Sequence, residues 1–179
     1  MKRQITITLD PKSIDKAIKE LEQYKAEIKA KTEMLVSKLV DKGVDIAKMS
    51  LLSYGAYQTG DLFNSIDGEV AESKTGKLIG YVRVCADYVV YVEFGTGVVG
   101  DKSPHPDAQD LDYDYDVNDH GEDGWFYPYD NRRAHKYRFN PATKREQPWT
   151  AGEPAKPFMY DTSLYLRDIL ISTAKEVFG

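Results

Sequence analysis

The chain has 179 residues, 41 % of them hydrophobic and 30 % charged, with a formal charge of −5 and a sequence pI near 5.3. That length closes a core burying roughly 70 % of the unfolded chain's surface, and the composition is that of a folded globular protein rather than a disordered one. The acidic balance argues against a broad basic face that grips nucleic acid, no apolar run approaches the ~18 residues of a membrane span, and residues 1–6 lack the apolar stretch of a secretory signal.

A single cysteine, Cys85, excludes an internal disulfide framework and any zinc site built on two or more cysteines. It fits synthesis in a reducing cytoplasm. Ile5, Ile7 and Leu9 alternate with threonines, the period of a short half-buried strand. Asp10-Pro11 ends it, and either Asp10 or Ser13 caps the helix that follows. Ile14, Ala17, Leu21, Tyr24 and Ile28 form one helical stripe, and Val36, Val40, Gly43, Val44, Ala47 and Leu51 form a second. The apolar face shifts near Thr32, which predicts two helical segments, their stripes serving core packing in preference to a partner-binding coiled coil.

Residues 54–60 read as a loop and 61–66 as a short helical turn. Residues 69–73 and 78–85 read as strands joined by Lys74-Thr75-Gly76-Lys77, a hairpin signal. Residues 88–94, rich in Val and Tyr, predict a third strand ending at Gly95-Thr96-Gly97, with no helix opening behind it. Cys85, inside a strand and far from any histidine in sequence, is expected to be buried and structural.

Charge is then distributed unevenly. Residues 1–100 hold 14 basic and 14 acidic groups, residues 101–130 carry a net −9, and residues 131–145 a net +6. An acidic-then-basic insertion at about 98–150 is therefore expected on the surface of a single domain, 1–179, and deleting 101–123 is expected to leave that domain folded. Within the insertion, residues 125–129 and 135–139 predict a small hairpin, with Pro128 on an edge strand. Pro148, Pro154 and Pro157 punctuate a linker, and residues 161–178 form a closing helix. The predicted fold class is α+β: two N-terminal helical segments and a C-terminal helix packed on an antiparallel β-meander, with a long loop and hairpin insertion.

Candidate chemistry is sparse. Asp110, Asp112, Asp114 and Asp116 alternate, with His105, His120 and His135 nearby, a composition that hard cations, zinc or manganese accept. An EF-hand loop starting at Asp114 would need Gly at its sixth position and Glu at its twelfth, and finds Asp119 and Trp125. A solvated acidic loop or docking surface is the better reading, with a metal-dependent enzyme or calcium-binding module using Asp110–Asp116 as the alternative. No nucleophile elbow, phosphate loop or dinucleotide fingerprint is present. No catalytic residue, cofactor-binding residue or metal ligand is assigned. The run from Arg132 to Arg145 interleaves Tyr137 and Phe139, the composition of a nucleic-acid contact, but it follows acids that repel phosphate.

Three segments carry a family resemblance. Gln58-Thr59-Gly60-Asp61-Leu62-Phe63-Asn64-Ser65-Ile66 is similar to a D-T-G-x-L-x-x-S-I segment, with Gln58 in place of the usual Asp. Tyr88-Val89-Val90-Tyr91-Val92-Glu93-Phe94-Gly95-Thr96-Gly97 resembles a Y-x-x-Y-V-E-F-G-T-G strand, and Pro154-Ala155-Lys156-Pro157-Phe158-Met159 resembles P-A-[RK]-P-F-[LM] before the last helix. Together and in this order they resemble the neck or tail-completion proteins, also described as head–tail connector or minor tail components, of long-tailed double-stranded DNA bacteriophages. The likeness covers about residues 35–178, apart from much of 100–124. The resemblance implies a structural, non-enzymatic virion protein without cofactors, made in the host cytoplasm and assembled at the head–tail junction. It also implies a homo-oligomeric ring, six copies preferred and twelve possible, touching other neck, head-closure and tail-tube proteins. DNA would pass through without tight binding, and no membrane is involved.

Each motif residue also has an expected structural role. Thr59 caps the short helix, and Gly60, Gly95 and Gly97 take conformations closed to larger residues. Leu62, Ser65, Ile66, Tyr91, Phe94 and Thr96 belong to the motif framework. Glu93 should face solvent or meet a Lys or Arg. Pro157 fixes the approach of the last helix, and Phe158 plugs the core. Arg132, Arg133, Lys136 and Arg138 are the candidate contacts to another subunit or partner.

Overall fold

The computed structural model describes residues 6–8, 10–57, 60–116, 120, 123–127 and 136–179. The fold is α+β. In chain order it runs α1 (Pro11–Ser53), α2 (Asp61–Asn64), β1 (Ile66–Glu72), β2 (Leu78–Val84), α3 (Val89–Phe94), α4 (Gly97–Lys102), β3 (Trp125–Phe126), β4 (Tyr137–Asn140), β5 (Arg145–Thr150) and α5 (Phe158–Phe178). Among the described residues no helix is long and apolar enough to cross a membrane. The chain divides into two compact units, one of Met1–Ile46, Asp67–Arg83 and Thr162–Gly179, the other of Ala47–Ile66 and Val84–Asp161. Both α1 and α5 contribute residues to each.

Where two helical segments were expected there is one helix of 43 residues. The Asp10 carboxylate accepts the Ser13 N–H at 3.0 Å, so Asp10 is the cap, and the Ser13 hydroxyl accepts the Thr8 N–H in return. The Thr8 hydroxyl's bond to the Asp10 carboxylate first, and then the Ser13 N–H, hold that carboxyl below its ordinary pKa. Thr32 does not break the helix, because its hydroxyl donates back to the Ile28 carbonyl at 2.8 Å. Residues 6–8 form no strand, and Ile5 and Leu9 lie outside the described residues.

In the first unit, the later stripe of α1 lies on the β1–β2 hairpin. A Cβ at Gly68 would sit 2.5 Å from Val40 Cγ1 and one at Gly80 would sit 2.6 Å from Val40 Cγ2. Gly43 has the same meaning on the helix, where an added Cβ would meet Val82 Cγ2 at 2.7 Å and Leu166 Cδ1 of α5 at 3.2 Å. These glycines let helix and strands approach closely. On the other face of the hairpin Arg83 bridges Glu69 at 2.7 Å and Asp67 at 3.5 Å, beside the exposed Ile79 and Tyr81. The hairpin turn has Gly76 at φ 77°, as its sequence predicts. Replacing Gly68 or Gly80 by alanine is expected to overpack this seam and cost about 1–3 kcal/mol. Urea denaturation of each variant measures it, and an unchanged midpoint would show that the seam yields freely.

In the second unit, the meander's third strand is absent, since Val89–Phe94 is helical, ended by Gly95 at φ 82°. β-branched residues favour strands, but tertiary demand overrides that preference here: Glu93 turns toward the start of α5. A further short helix, α4, opens at Gly97, where none was expected. The insertion's sheet also differs from the predicted hairpin. β5 is its middle strand, antiparallel to β3 on one side and β4 on the other, so Pro148 sits in a strand rather than in a linker. The β5 pairing follows from the exposed turn at 141–144, which joins β4 directly to β5. Cys85 is exposed just past β2, correcting its expected burial.

Candidate functional site

The second unit holds all three motif segments, and Glu93 joins the second of them to the third. Its carboxylate is buried, 7 % exposed. Oε2 accepts the Met159 N–H at 3.0 Å, and Oε1 accepts the Tyr160 N–H at 2.9 Å. These are two of the orphan N–H groups in the first turn of α5, and the carboxylate also lies at the positive end of that helix's dipole. The expectation that Glu93 would face solvent or meet a Lys or Arg is thus overturned. A helix N-terminus supplies the compensation that a cation would have given.

His105 completes the arrangement, 5 % exposed. Its Nδ1 accepts the Asp107 N–H at 3.0 Å, which leaves the ring proton on Nε2, 3.3 Å from Glu93 Oε1. Phe94 stacks on the His105 ring at 4.2 Å and on Tyr113 at 4.6 Å, while Tyr160 meets His105 edge-on. Burial, reinforced by Tyr91, Tyr115 and Asp114, raises the pKa of the Tyr113 phenol; its hydroxyl donates to the Gly95 carbonyl at 3.1 Å. The Tyr115 carbonyl accepts the Gly97 N–H at 2.7 Å. The acidic stretch is therefore partly core. Its tyrosines and His105 point in, and Ala108 is buried among them. Deleting 101–123 would remove these groups, so the burial points instead to a deletion that destabilises the second unit.

The remaining motif residues are framework. Gly60 takes φ 89°, and Leu62 and Ile66 are buried. The Ser65 hydroxyl donates to the Leu62 carbonyl at 2.8 Å, closing the short helix. Thr96 and Glu153 exchange backbone hydrogen bonds at 2.9 and 3.1 Å, and Gly97 takes φ 59°. The Pro157 carbonyl accepts the Asp161 N–H at 3.0 Å, so Pro157 sits immediately before the first turn of α5, and Phe158 is fully buried. Tyr91 is exposed and lines an open groove of about 390 Å³ together with Leu62, Phe63, Tyr88, Thr96 and Lys156. Thr59, Arg132, Arg133 and His135 lie outside the described residues.

No family model, curated protein or solved structure matches this chain.

The alternating aspartates do not converge. Asp114 Oδ1 accepts the Asp116 N–H, and Asp116 Oδ1 accepts the His120 N–H, each at 2.8 Å. The carboxylates thus close their own loop, and among the described residues no cluster of three or more metal-ligating side chains forms. His120 stacks on Trp125 at 4.4 Å. A cavity of about 550 Å³ borders His105, but both ring nitrogens are already engaged. The described part of the basic segment is surface: Lys136 is exposed, and the Arg138 guanidinium lies 3.4 Å over the Trp149 ring.

Sequence reading missed a second polar group, in which Ser50 and Tyr54 both donate to Asp161 Oδ2, at 3.2 and 2.8 Å. Burial first, then this bond and the charges of Asp161 and Glu93, push the Tyr54 phenol up to about 12. The unfolded chain releases that proton near pH 10, whereas the folded chain keeps it. Stability contributed by neutral Tyr54 is therefore complete below pH 10 and lost between pH 10 and about 12. Absorbance titration is expected to show tyrosine ionisation extending to about pH 12, and Tyr54→Phe to remove that last step. A wild-type titration without that late step would contradict the assignment.

Proposed function

We propose that this chain is a structural protein of the neck of a long-tailed double-stranded DNA bacteriophage. It acts in tail completion or head–tail joining, as one subunit of a homo-oligomeric ring around the DNA channel. The observation that supports the reading is the Glu93 bridge. The Y-x-x-Y-V-E-F-G-T-G segment and the P-A-K-P-F segment, far apart in sequence, are bonded through the one acidic residue of the former and the first helical N–H groups after the latter. Two of the three resembling segments are thereby bonded to each other, and the first lines one groove with them through Leu62 and Phe63. The roles found for these segments among the described residues, a buried cap, tight turns and a core plug, are architectural ones and agree with this reading.

A ring needs two different patches that meet, and the acidic loop and the basic segment around Lys136 and Arg138 offer complementary charge. Six copies are preferred and twelve possible, with other neck, head-closure and tail-tube proteins above and below. DNA slides through without tight binding, because Lys and Arg contacts to phosphate would act as brakes. Electron micrographs of the purified protein test this reading, with closed rings of uniform diameter expected. Duplex binding is expected to be no tighter than roughly 10⁻⁴–10⁻⁶ M at physiological salt. Submicromolar duplex binding, abolished by reversing Lys136 and Arg138 to Glu, would overturn it.

A further inference from the structure

The acidic stretch and the basic strands belong to the same compact unit, yet their charges do not meet inside it. Asp110, Asp112 and Asp114 are exposed, while Tyr113, between the last two, turns in and stacks on Phe94. Turning the tyrosine inward leaves the aspartates outward, a row of three carboxylates. Lys102 is the only base from 101 to 130.

The strands β4 and β5 display the opposite row. Residues paired across two strands share a face. Arg138 pairs with Gln147 and Asn140 with Arg145, so Arg138 and Arg145 lie on one face, and Lys136, two residues before Arg138, joins them. All three are exposed. Glu146, the one acid of the two strands, pairs with Phe139 on the other face. In its sheet β4 is an outer strand, which leaves one side of it open to a neighbour.

Among the described residues of this unit, acid–base contacts join Glu93 to His105, Asp116 to His120 and Glu153 to Lys156, and none reaches Asp110, Asp112, Asp114, Lys136 or Arg145. Like charges crowded on one surface repel, and an opposite row relieves that repulsion only at short range, since salt screens exposed charges beyond about 8 Å. Each row also holds a bare apolar side chain, Leu111 among the acids and Phe139 in β4, each 62 % exposed. The two surfaces are thus complementary in charge and in apolar content.

We propose that the Asp110–Asp114 row of one copy docks on the Lys136, Arg138 and Arg145 face of the next, covering Leu111 and Phe139 in the same contact. The occupant is a second copy because the chain carries both halves, neither neutralised by the other. Docking is head to tail: each copy gives its acids to one neighbour and its bases to the other. This deepens, and rests on, the reading of the chain as a ring subunit.

Two reversals at exposed positions test it, under reducing conditions that keep the exposed Cys85 out of the measurement. Asp110→Lys with Asp112→Asn removes the acidic row, and Asn tolerates the φ of 50° at residue 112. Lys136→Glu with Arg145→Glu removes the basic row and leaves Arg138 on Trp149. In sedimentation each pair is expected to weaken self-association at least tenfold with circular dichroism unchanged, and wild-type association to fall as salt rises. Leu111→Ser is expected to weaken association while its salt dependence remains. An equal mixture of the two reversed proteins is expected to give a complex of two chains that grows no further, because one intact pair of faces is left.

Association unaffected by either reversal overturns the proposal, as does a wild-type chain that stays monomeric at high concentration. A wild-type dimer that grows no further overturns the head-to-tail order, because both contacts then close about a two-fold axis. DNA binding that Lys136→Glu with Arg145→Glu abolishes, with self-association intact, overturns it in favour of nucleic acid on the basic face. Rings that persist in micrographs of the Asp110→Lys, Asp112→Asn protein overturn this contact and leave the neck reading in place. Open filaments of the wild type that both reversals dissolve uphold the contact and overturn the closed ring.

Discussion

Replacing Glu93 by alanine is expected to cost about 3–5 kcal/mol of stability, the range found when one partner of a buried charged arrangement is removed. The substitution strips acceptors from the Met159 and Tyr160 N–H groups and from His105 Nε2. Each donor is then left in a place that water reaches poorly. Glu93→Gln is expected to cost less, because one carbonyl oxygen remains to accept from the helix turn, yet its amide would set N–H against N–H. Chemical denaturation followed by circular dichroism separates the three proteins. A loss below about 1 kcal/mol for the alanine variant would show that solvent takes over the capping role.

Phe158→Ala carries a similar expected cost, about 3–5 kcal/mol, for a different reason. Phe158 has no exposed surface, so its removal loses the transfer energy of a whole ring and leaves a cavity that rigid neighbours fill only in part. Phe158→Leu retains much of the volume and is expected to cost less. Because Phe158 immediately precedes Met159, the double variant with Glu93→Ala is expected to be less damaging than the sum of the two. Once α5's first turn is loosened by one change, the second has less native structure to lose. Strict additivity in a double-mutant cycle would show that the cap and the plug act on separate structures.

Much of this framework is legible from local chemistry. Gly76 between two alternating segments and the glycines around Thr96 open positive φ to the backbone, Pro157 before a helical repeat fixes it, and the structure follows them. The failures share a cause: they depend on partners distant in sequence. Val89-Val90-Tyr91-Val92 has the composition of a strand and becomes a helix because Glu93 must reach residues 159 and 160. The Thr32 region looks like a boundary because the apolar face shifts there, while the backbone continues unbroken. In the acidic stretch, charge concealed the signal. Tyr113 and Tyr115 alternate with Asp112, Asp114 and Asp116, and that alternation marks one face turned inward more clearly than the net charge marks a loop. His105 carried no local mark beyond its two flanking prolines.

The antiparallel bridge between Thr96 and Glu153 has a consequence for how the chain tolerates change in length. It pins two points 57 residues apart with backbone bonds in both directions. Gly152 lies so close to the Thr96 carbonyl that nothing larger fits there. Everything between is a closed loop whose ends stay fixed whatever its contour. Lengthening such a loop costs only about 0.6 kcal/mol per doubling. The exposed turn at 141–144, between β4 and β5, is therefore the place to splice in an epitope or a fluorescent label, clear of the tyrosines that hold the acidic stretch.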